Sequence, residues 1–154
     1  MTKLIAHRAL INGPNSQLEN HPTQVQQCLH SGYDVEIDLR FQNQQWWLGH
    51  DQADYAVNTE FLCQPGLWIH TKDHSAAFEL SQLAHTHPQL NFFWHEDDQR
   101  TMTSKGIWWS LAHHPMSIHS VAVMPEWHLG ADQLAQCASW QCAGICSDYV
   151  GSIR

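Results

Sequence analysis

The sequence predicts an α/β fold, a small, trimmed (β/α) barrel in which several helices are missing or shortened. Short apolar runs alternate with polar or helical segments along the chain, as in βαβ units with a parallel sheet. Several runs end abruptly in polar residues, which form the rim of the active site in parallel α/β proteins. The length of 154 residues is below the roughly 200 residues of the smallest full barrels, so helices and loops must be reduced.

Eight strands and three helices are predicted in order along the chain. The strands are expected at residues 3–8, 34–41, 46–50, 67–72, 91–96, 106–111, 118–124 and 144–150. The helices are expected at residues 22–31, 74–86 and 131–138. The connections 97–105 and 112–117 are too short to hold a packing helix. Part of the outer barrel surface should therefore be exposed, which favours a homo-oligomer.

The bulk composition indicates one domain spanning residues 1–154. Hydrophobic residues make up 43% of the chain, enough to bury a sizeable core at this length. No run approaches the roughly 18 apolar residues of a membrane span, and the N-terminus is charged too early for a signal peptide, so a cytoplasmic location is expected. The five cysteines form no CxxC pair, so we expect reduced, mostly buried thiols.

The charge balance excludes one class of partner. With 7 basic and 15 acidic residues the formal net charge is −8, whereas a general nucleic-acid binder needs a basic face to neutralise phosphates. A phosphate-ester substrate is still compatible with this charge when a divalent cation supplies positive charge locally.

Carboxylates alternate along the second predicted strand. Because side chains in a strand have a period of two, Glu36, Asp38 and Arg40 share one face and apolar residues share the other. Carboxylates that point into a barrel are costly unless they are paired or bound to metal. Oxygens at alternate strand positions suit a hard cation such as Mg²⁺ or Ca²⁺. An edge strand with one solvated face is the alternative interpretation.

Two histidines end the neighbouring strands. His7-Arg8 ends the first strand, and His50-Asp51 ends the segment that follows the acidic strand. Two imidazoles beside an arginine and a carboxylate pair suit general acid–base cleavage of a phosphodiester. One imidazole takes a proton from the nucleophile, the other protonates the leaving alkoxide, and the arginine holds the phosphate oxygens.

Four motifs follow one another in the first third of the chain. They are Leu4-Ile5-Ala6-His7-Arg8, Glu19-Asn20, Val35-Glu36-Ile37-Asp38 and Gly49-His50-Asp51. Their order and approximate spacing resemble those of the glycerophosphodiester phosphodiesterases, which are phosphatidylinositol-phospholipase-C-like TIM barrels. The resemblance implies a TIM-type barrel in which His7 and His50 are the acid–base pair. It also implies that Arg8 binds the phosphate and that Glu19 holds Arg8 in place.

The metal ligands implied by the resemblance are Glu36 and Asp38, but the third strand departs from the family. The family has an apolar-Glu-apolar-Lys pattern there, with the glutamate as a further ligand, whereas this chain has His70 in place of the glutamate. Lys72 matches the family's lysine and is expected to contact the phosphate. If His70 is the third ligand, the preference should move from Mg²⁺ or Ca²⁺ towards Mn²⁺, Zn²⁺ or Fe²⁺. Ala9, where the family has glycine, is a second departure.

Segments farther along resemble a compact bacterial branch of the same superfamily. They include Phe92-Phe93-Trp94-His95-Glu96 and Val123-Met124-Pro125-Glu126, and the run from Gly144 to Tyr149 resembles the family's last strand. Glu96 or Glu126 is an alternative source of the missing metal oxygen. Glu126 could instead begin a helix, and His95 could belong to a solvated loop. The pair His113-His114 lies in a turn beside a proline and is expected to be solvent-exposed.

Together these features predict a metal-dependent phosphodiester hydrolase with a two-histidine mechanism. A trimmed barrel leaves few loops to wrap a large substrate, so the expected substrate is a small, soluble phosphodiester. Ala9 and His70 motivate a second hypothesis, a phosphate-ester or metal-binding module that has lost turnover. A third possibility is a lyase that uses the same histidines to form a cyclic phosphate.

Overall fold

The computed structural model describes residues 2–153, in which ten strands form one mixed sheet. The strands are β1 (Lys3–Ala6), β2 (Asp34–Gln42), β3 (Gln45–Leu48), β4 (Tyr55–Val57), β5 (Leu67–Thr71), β6 (Phe92–Phe93), β7 (Arg100–Met102), β8 (Trp108–Leu111), β9 (Ser120–Val123) and β10 (Gly144–Ser147). The α-helices are α1 (Pro22–His30), α2 (Thr59–Leu62) and α3 (His74–Leu83), and 3₁₀ helices cover His7–Ala9, Pro125–Trp127, Ala131–Ser139 and Val150–Ile153. None of the helices within residues 2–153 has the length and apolar character needed to cross a membrane.

The TIM-type barrel predicted from the sequence is wrong. The sheet curls into a half-barrel with few helices. Its strand order is β4-β3-β2-β1-β10-β9-β8-β7, with β5 pairing to β2 and β6 pairing to β5. A TIM barrel needs eight alternating βα units, but here β2, β3 and β4 form antiparallel pairs, as do β7 and β8. Antiparallel neighbours need only a tight turn, so these segments contain no crossover helix.

Individual elements were predicted better than the fold. Each of the eight predicted strands overlaps an observed strand, and the first two predicted helices correspond to α1 and α3. Two three-residue strands, β4 and β7, were not predicted. The third predicted helix is a 3₁₀ helix over Ala131–Ser139. These differences turn an alternating βα pattern into a sheet with hairpins.

The two ends of the curled sheet approach each other at β6 and β7. No ladder joins these two strands in the part of the chain that the structure describes. Single hydrogen bonds link their surroundings: the Ser104 amide donates to the Phe92 carbonyl at 2.7 Å, and the Thr101 hydroxyl donates to the Trp94 carbonyl at 2.8 Å. The concave face of the sheet is thereby enclosed on several sides.

The concave face consists of an apolar layer beneath a polar one. Five members of the apolar cluster are Ile5, Trp68, Phe93, Trp109 and Cys146. Side chains in a strand alternate with a period of two. A residue two positions after one of these apolar residues therefore lies on the same concave face, one layer higher. His70 is such a residue within β5, whereas His7, His95 and Asp148 follow the ends of β1, β6 and β10. The convex face packs a larger apolar cluster under α1 and α3, so the sheet separates a dry core from a polar cleft.

Candidate functional site

Seven of the eight predicted site residues line one cleft of about 230 Å³. They are His7, Arg8, Glu36, Asp38, His50, His70 and Lys72. They lie in or directly after β1, β2, β3 and β5, so four separate strands deliver them to one place. Glu19 does not line the cleft, but its carboxylate accepts a hydrogen bond of 3.2 Å from Nη1 of Arg8. The structure therefore brings all eight residues together.

Three buried side chains form a group that could hold a metal ion. One ligand atom each from Glu36, Asp38 and His70 lies within 4.8 Å of the others. In the β2–β5 ladder Asp38 is paired with His70, and Glu36 is two residues earlier on the same face. The parallel register therefore determines the composition of the group. One imidazole nitrogen and two carboxylate oxygens are atoms that can bind a divalent metal ion.

The His70 ring directs one nitrogen at a backbone carbonyl and the other at the two carboxylates. Nε2 of His70 lies 3.3 Å from the backbone carbonyl of His95, which can only accept a hydrogen bond. Nδ1 lies 3.2 Å from Oδ1 of Asp38 and 3.9 Å from Oε1 of Glu36, both of which are acceptors when ionised. Either a proton on Nδ1 or a metal cation must therefore lie between the ring and the carboxylates. A metal-bound histidine usually donates its other N–H to an oxygen acceptor in this manner.

Asp38 is the most heavily supported carboxylate of the cleft. Its Oδ2 accepts a 2.9 Å hydrogen bond from the Asn20 amide and lies 3.2 Å from Nε of Arg8. Nζ of Lys72 lies 3.8 Å from the other oxygen. Burial by itself raises the pKa of Asp38, but hydrogen bonding to His70 and the charge of Arg8 bring this pKa well below its usual range. Asp38 is therefore ionised and surrounded by positive charge.

Glu36 has a different environment from Asp38, although both are buried. Its burial and the nearby charge of Asp38 raise the pKa of Glu36, and neighbouring His7, His70 and Arg8 only partly oppose this. Its Oε2 accepts a 3.0 Å hydrogen bond from the backbone N–H of Arg8. Arg8 has a left-handed backbone, with a φ of 49°. The same residue thus contacts one carboxylate through its backbone and the other through its side chain.

His7 belongs to a hydrogen-bonded chain that reaches β10. Its Nδ1 lies 2.7 Å from Oδ1 of Asp148, while Nε2 is on the side of Glu36, at 3.9 Å. Burial would lower the pKa of His7, but the Asp148 hydrogen bond and the charge of Glu36 raise it. Oε1 of Glu126 accepts hydrogen bonds from the Asp148 backbone N–H at 2.8 Å and from the Ser147 hydroxyl at 3.0 Å. Glu126 therefore positions Asp148, which in turn orients His7.

His50 is more exposed than His7 and is held through its backbone. The Arg40 side chain donates to the carbonyl oxygens of Gly49 and His50. Nδ1 of His50 lies 2.7 Å from Oδ1 of Asp51, a carboxylate that is almost fully exposed. Gly49 has a φ of 147°, which L side chains rarely adopt. This turn and the Arg40 contacts direct His50 towards the cleft.

The remaining wall of the cleft continues into a side chamber of about 200 Å³. Both spaces are lined by His95, Glu96, Trp109, Leu111, Val123 and Trp127. The His95 ring stacks on His70 with centroids 4.4 Å apart. Burial, followed by the charge of His70, lowers the pKa of His95 to about 4. His95 therefore belongs to the cleft and is not part of a detached loop.

Several supporting residues were missed or left open by the sequence. The sequence motif does not reveal the role of Asn20, which is buried and bonds to both the backbone and the side chain of Asp38. Nothing local in the sequence connects Asp148, which follows the last strand, with His7. Glu126 supports β10 and does not belong to the group of Glu36, Asp38 and His70. Glu96 lines the cleft but is exposed.

Comparisons with protein-family models, curated proteins and solved structures found no match to this chain. The arrangement of side chains in the cleft therefore carries the functional argument. The strongest elements of that arrangement are the Glu36, Asp38 and His70 group and the two histidines beside it.

Proposed function

We propose that this protein is a metal-dependent phosphodiester hydrolase that acts on a small, soluble diester. One observation carries the proposal: two histidines, an arginine, a lysine and a Glu/Asp/His group converge on one cleft. Neutralisation of a phosphate needs the cations, and cleavage of its ester bond needs groups that move protons. The resemblance of the motifs to glycerophosphodiester phosphodiesterases supports the same class of reaction.

The donor set fits a divalent cation that also takes nitrogen. Glu36, Asp38 and His70 would hold it, and the Nε2 contact of His70 with the His95 carbonyl would keep Nδ1 directed at the ion. When bound, the cation would supply positive charge that offsets the charge developing on the phosphate oxygens. Arg8 and Lys72 would contact the remaining phosphate oxygens.

The proton transfers are assigned to the two histidines. Water attacks phosphorus, and the bond from phosphorus to the departing alcohol oxygen breaks. The proton lost by the water passes to one imidazole, and the other imidazole gives a proton to the departing oxygen. Asp148 keeps His7 in a fixed orientation, whereas the exposed Asp51 lets His50 exchange protons with solvent.

The size of the cleft favours a small substrate. Its volume of about 230 Å³ and that of the side chamber, about 200 Å³, are each below the roughly 300–1,000 Å³ of a drug-sized ligand site. A phosphate near Arg8 would leave space for one short alcohol on either side. This geometry supports glycerol-sized groups rather than a polymer or a two-chain lipid.

Turnover of glycerophosphodiesters by the protein with Mg²⁺, Mn²⁺ or Zn²⁺ tests the proposal. His7→Ala and His50→Ala should each reduce kcat by about 10²–10⁴-fold, the usual contribution of a general acid or base. An activated aryl phosphodiester then separates the two roles, because its leaving group needs no proton. The variant that lacks the general acid should retain most of its activity on that substrate.

His85→Ala is the matched control, since His85 is exposed and bonds only to α3 carbonyls. Unchanged turnover in both cleft variants would refute the mechanism. If phosphorus NMR detects a cyclic phosphate product, the protein is a lyase and not a hydrolase. If calorimetry shows tight binding of a phosphate ester and none of the three ions supports turnover, the protein is a binding module and not a hydrolase.

A separate variant tests the role of His70. His70→Glu restores an all-carboxylate group, which should move the ion preference from Zn²⁺ or Mn²⁺ towards Mg²⁺ or Ca²⁺. The measurement is ion affinity by calorimetry, with Phe61→Leu as a control remote from the cleft. An unchanged order of affinities would show that His70 does not contact the ion.

A further inference from the structure

A second group of imidazoles lies at the rim of the molecule, apart from the group of Glu36, Asp38 and His70 in the cleft. We call His113, His114 and His128, together with Gln99, the rim cluster. Nδ1 of His113 lies 3.0 Å from Nε2 of His128. The rings of His113 and His114 have centroids 4.2 Å apart. The turn after β8, the segment after the Pro125–Trp127 helix and the loop before β7 contribute these residues.

The hydrogen bonds of Gln99 determine which ring nitrogens carry protons. Oε1 of Gln99 lies 3.2 Å from Nε2 of His113 and 2.9 Å from Nε2 of His114. A carbonyl oxygen only accepts, so both Nε2 atoms donate to it. In a neutral imidazole the other nitrogen is then an acceptor. Nδ1 of His113 therefore directs a lone pair towards His128.

We propose that His113 and His128 bind a borderline divalent cation, such as Zn²⁺ or Cu²⁺, through Nδ1 and Nε2 respectively. Histidine ligands of Zn²⁺ lie about 2.0–2.1 Å from the ion. Two such ligands are about 3.3 Å apart in a tetrahedron and about 2.9 Å apart at adjacent corners of an octahedron. At the observed separation of 3.0 Å the Nδ1 lone pair faces Nε2 directly, so the exposed His128 side chain must swing aside for one ion to take both nitrogens.

Gln99 is the positioning residue of this site. A histidine that binds metal usually donates its other N–H to an oxygen acceptor, which fixes the tautomer and the ring orientation. His113 already makes such a contact with Gln99 before any ion binds. The pKa of His113 is also lowered, first by partial desolvation and then by His114 and His128. A neutral imidazole is the form that binds metal.

The position of the rim cluster gives the ion a structural effect. Gln99 and Trp127 line the side chamber next to the cleft, and His128 directly follows Trp127. An ion shared by His113 and His128 would tie the turn after β8 to the segment after β9. Zn²⁺ at this site should therefore restrain the wall of the side chamber without contacting Glu36, Asp38 or His70.

Zn²⁺ titration followed by long-range ¹H–¹⁵N NMR of the imidazoles tests this site directly. Nδ1 of His113 and Nε2 of His128 should move together towards metal-bound shifts. By calorimetry, His113→Gln and His128→Gln should each bind one equivalent of Zn²⁺ fewer than the unmodified protein. This difference is expected whether or not the cleft also binds Zn²⁺. Gln99→Ala should retain that equivalent with about 10-fold weaker affinity, as expected for the loss of an orienting partner.

His119→Gln is the matched control, because His119 is exposed and lies in the same connection between β8 and β9. It should leave the Zn²⁺ stoichiometry unchanged. The proposal is overturned if the stoichiometry of His113→Gln equals that of the unmodified protein, or if only one of the two rings shifts. Circular dichroism of each variant establishes that the fold is retained, which the exposure of both histidines leads us to expect.

Discussion

Replacing Asn20 with alanine should destabilise the protein by about 4 kcal/mol. Asn20 is buried and forms two hydrogen bonds of 2.9 Å with Asp38, one to its carboxylate and one from its backbone N–H. A bond to a charged group contributes about 1.5–3 kcal/mol and a neutral one about 1 kcal/mol. Asn20 also has a φ of 56°, which costs alanine about 1 kcal/mol more than asparagine or glycine.

Urea denaturation followed by fluorescence measures this loss, and two further variants divide it into its parts. Asn20→Gly removes the same bonds without the backbone cost, so it should lose about 3 kcal/mol. Asn43→Ala is the matched control, since Asn43 has a φ of 52° but is exposed in the β2–β3 turn. It should lose only about 1 kcal/mol. A loss below about 1 kcal/mol for both Asn20 variants would refute the reasoning.

Three further predictions concern different parts of the molecule. Asp148→Asn should lower kcat on a phosphodiester by at least about 10-fold, because the orientation of His7 is lost. The pH profile of kcat should change, with little effect on KM. If Asp148→Asn lowers kcat by the same factor in a His7→Ala protein as in the unmodified protein, Asp148 does not act through His7. Gly49→Ala should destabilise the fold by about 2–3 kcal/mol in urea, since the new methyl group would overlap the Gln52 carbonyl. Native protein should be alkylated by iodoacetamide first at Cys63, because the other four thiols are buried; faster labelling of any other cysteine, by mass spectrometry, would contradict the packing.

The local elements of the fold could be predicted from the sequence because their signals are local. In β2 the period of two separates Glu36 and Asp38 from the apolar residues, and the structure places both carboxylates on the concave face. Short apolar runs likewise marked each of the eight predicted strands. These signals depend only on neighbouring residues, so the later arrangement of the strands does not change them.

The arrangement of the strands was not predictable in the same way. Whether two neighbouring strands pair in parallel or form a hairpin depends on their connection and on a partner elsewhere in the chain. The Asn43-Gln44 turn, with a positive φ at both residues, folds β3 back onto β2. This hairpin and the β7–β8 pair are incompatible with a continuous series of βα units.

Long-range partners limited the prediction of the site for the same reason. His7, Arg8, Glu36 and His50 are recognisable by residue type and order. Asp148 is separated from His7 by 141 positions, and only the parallel pairing of β1 with β10 makes them neighbours. His70 could be identified as a substitution in a motif, but its two hydrogen-bonding directions required coordinates.

The pairing of β1 with β10 also affects how the protein can be synthesised. A ribosome adds about 5–20 residues per second, so His7 leaves it on the order of ten seconds before Asp148 is made. During that time β1 has no partner on one side, and its exposed edge is open to wrong pairing. A nascent chain that stops before β10 would present the carboxylate group with an unoriented His7. We therefore expect the orientation of His7 to be fixed only after translation has passed residue 148.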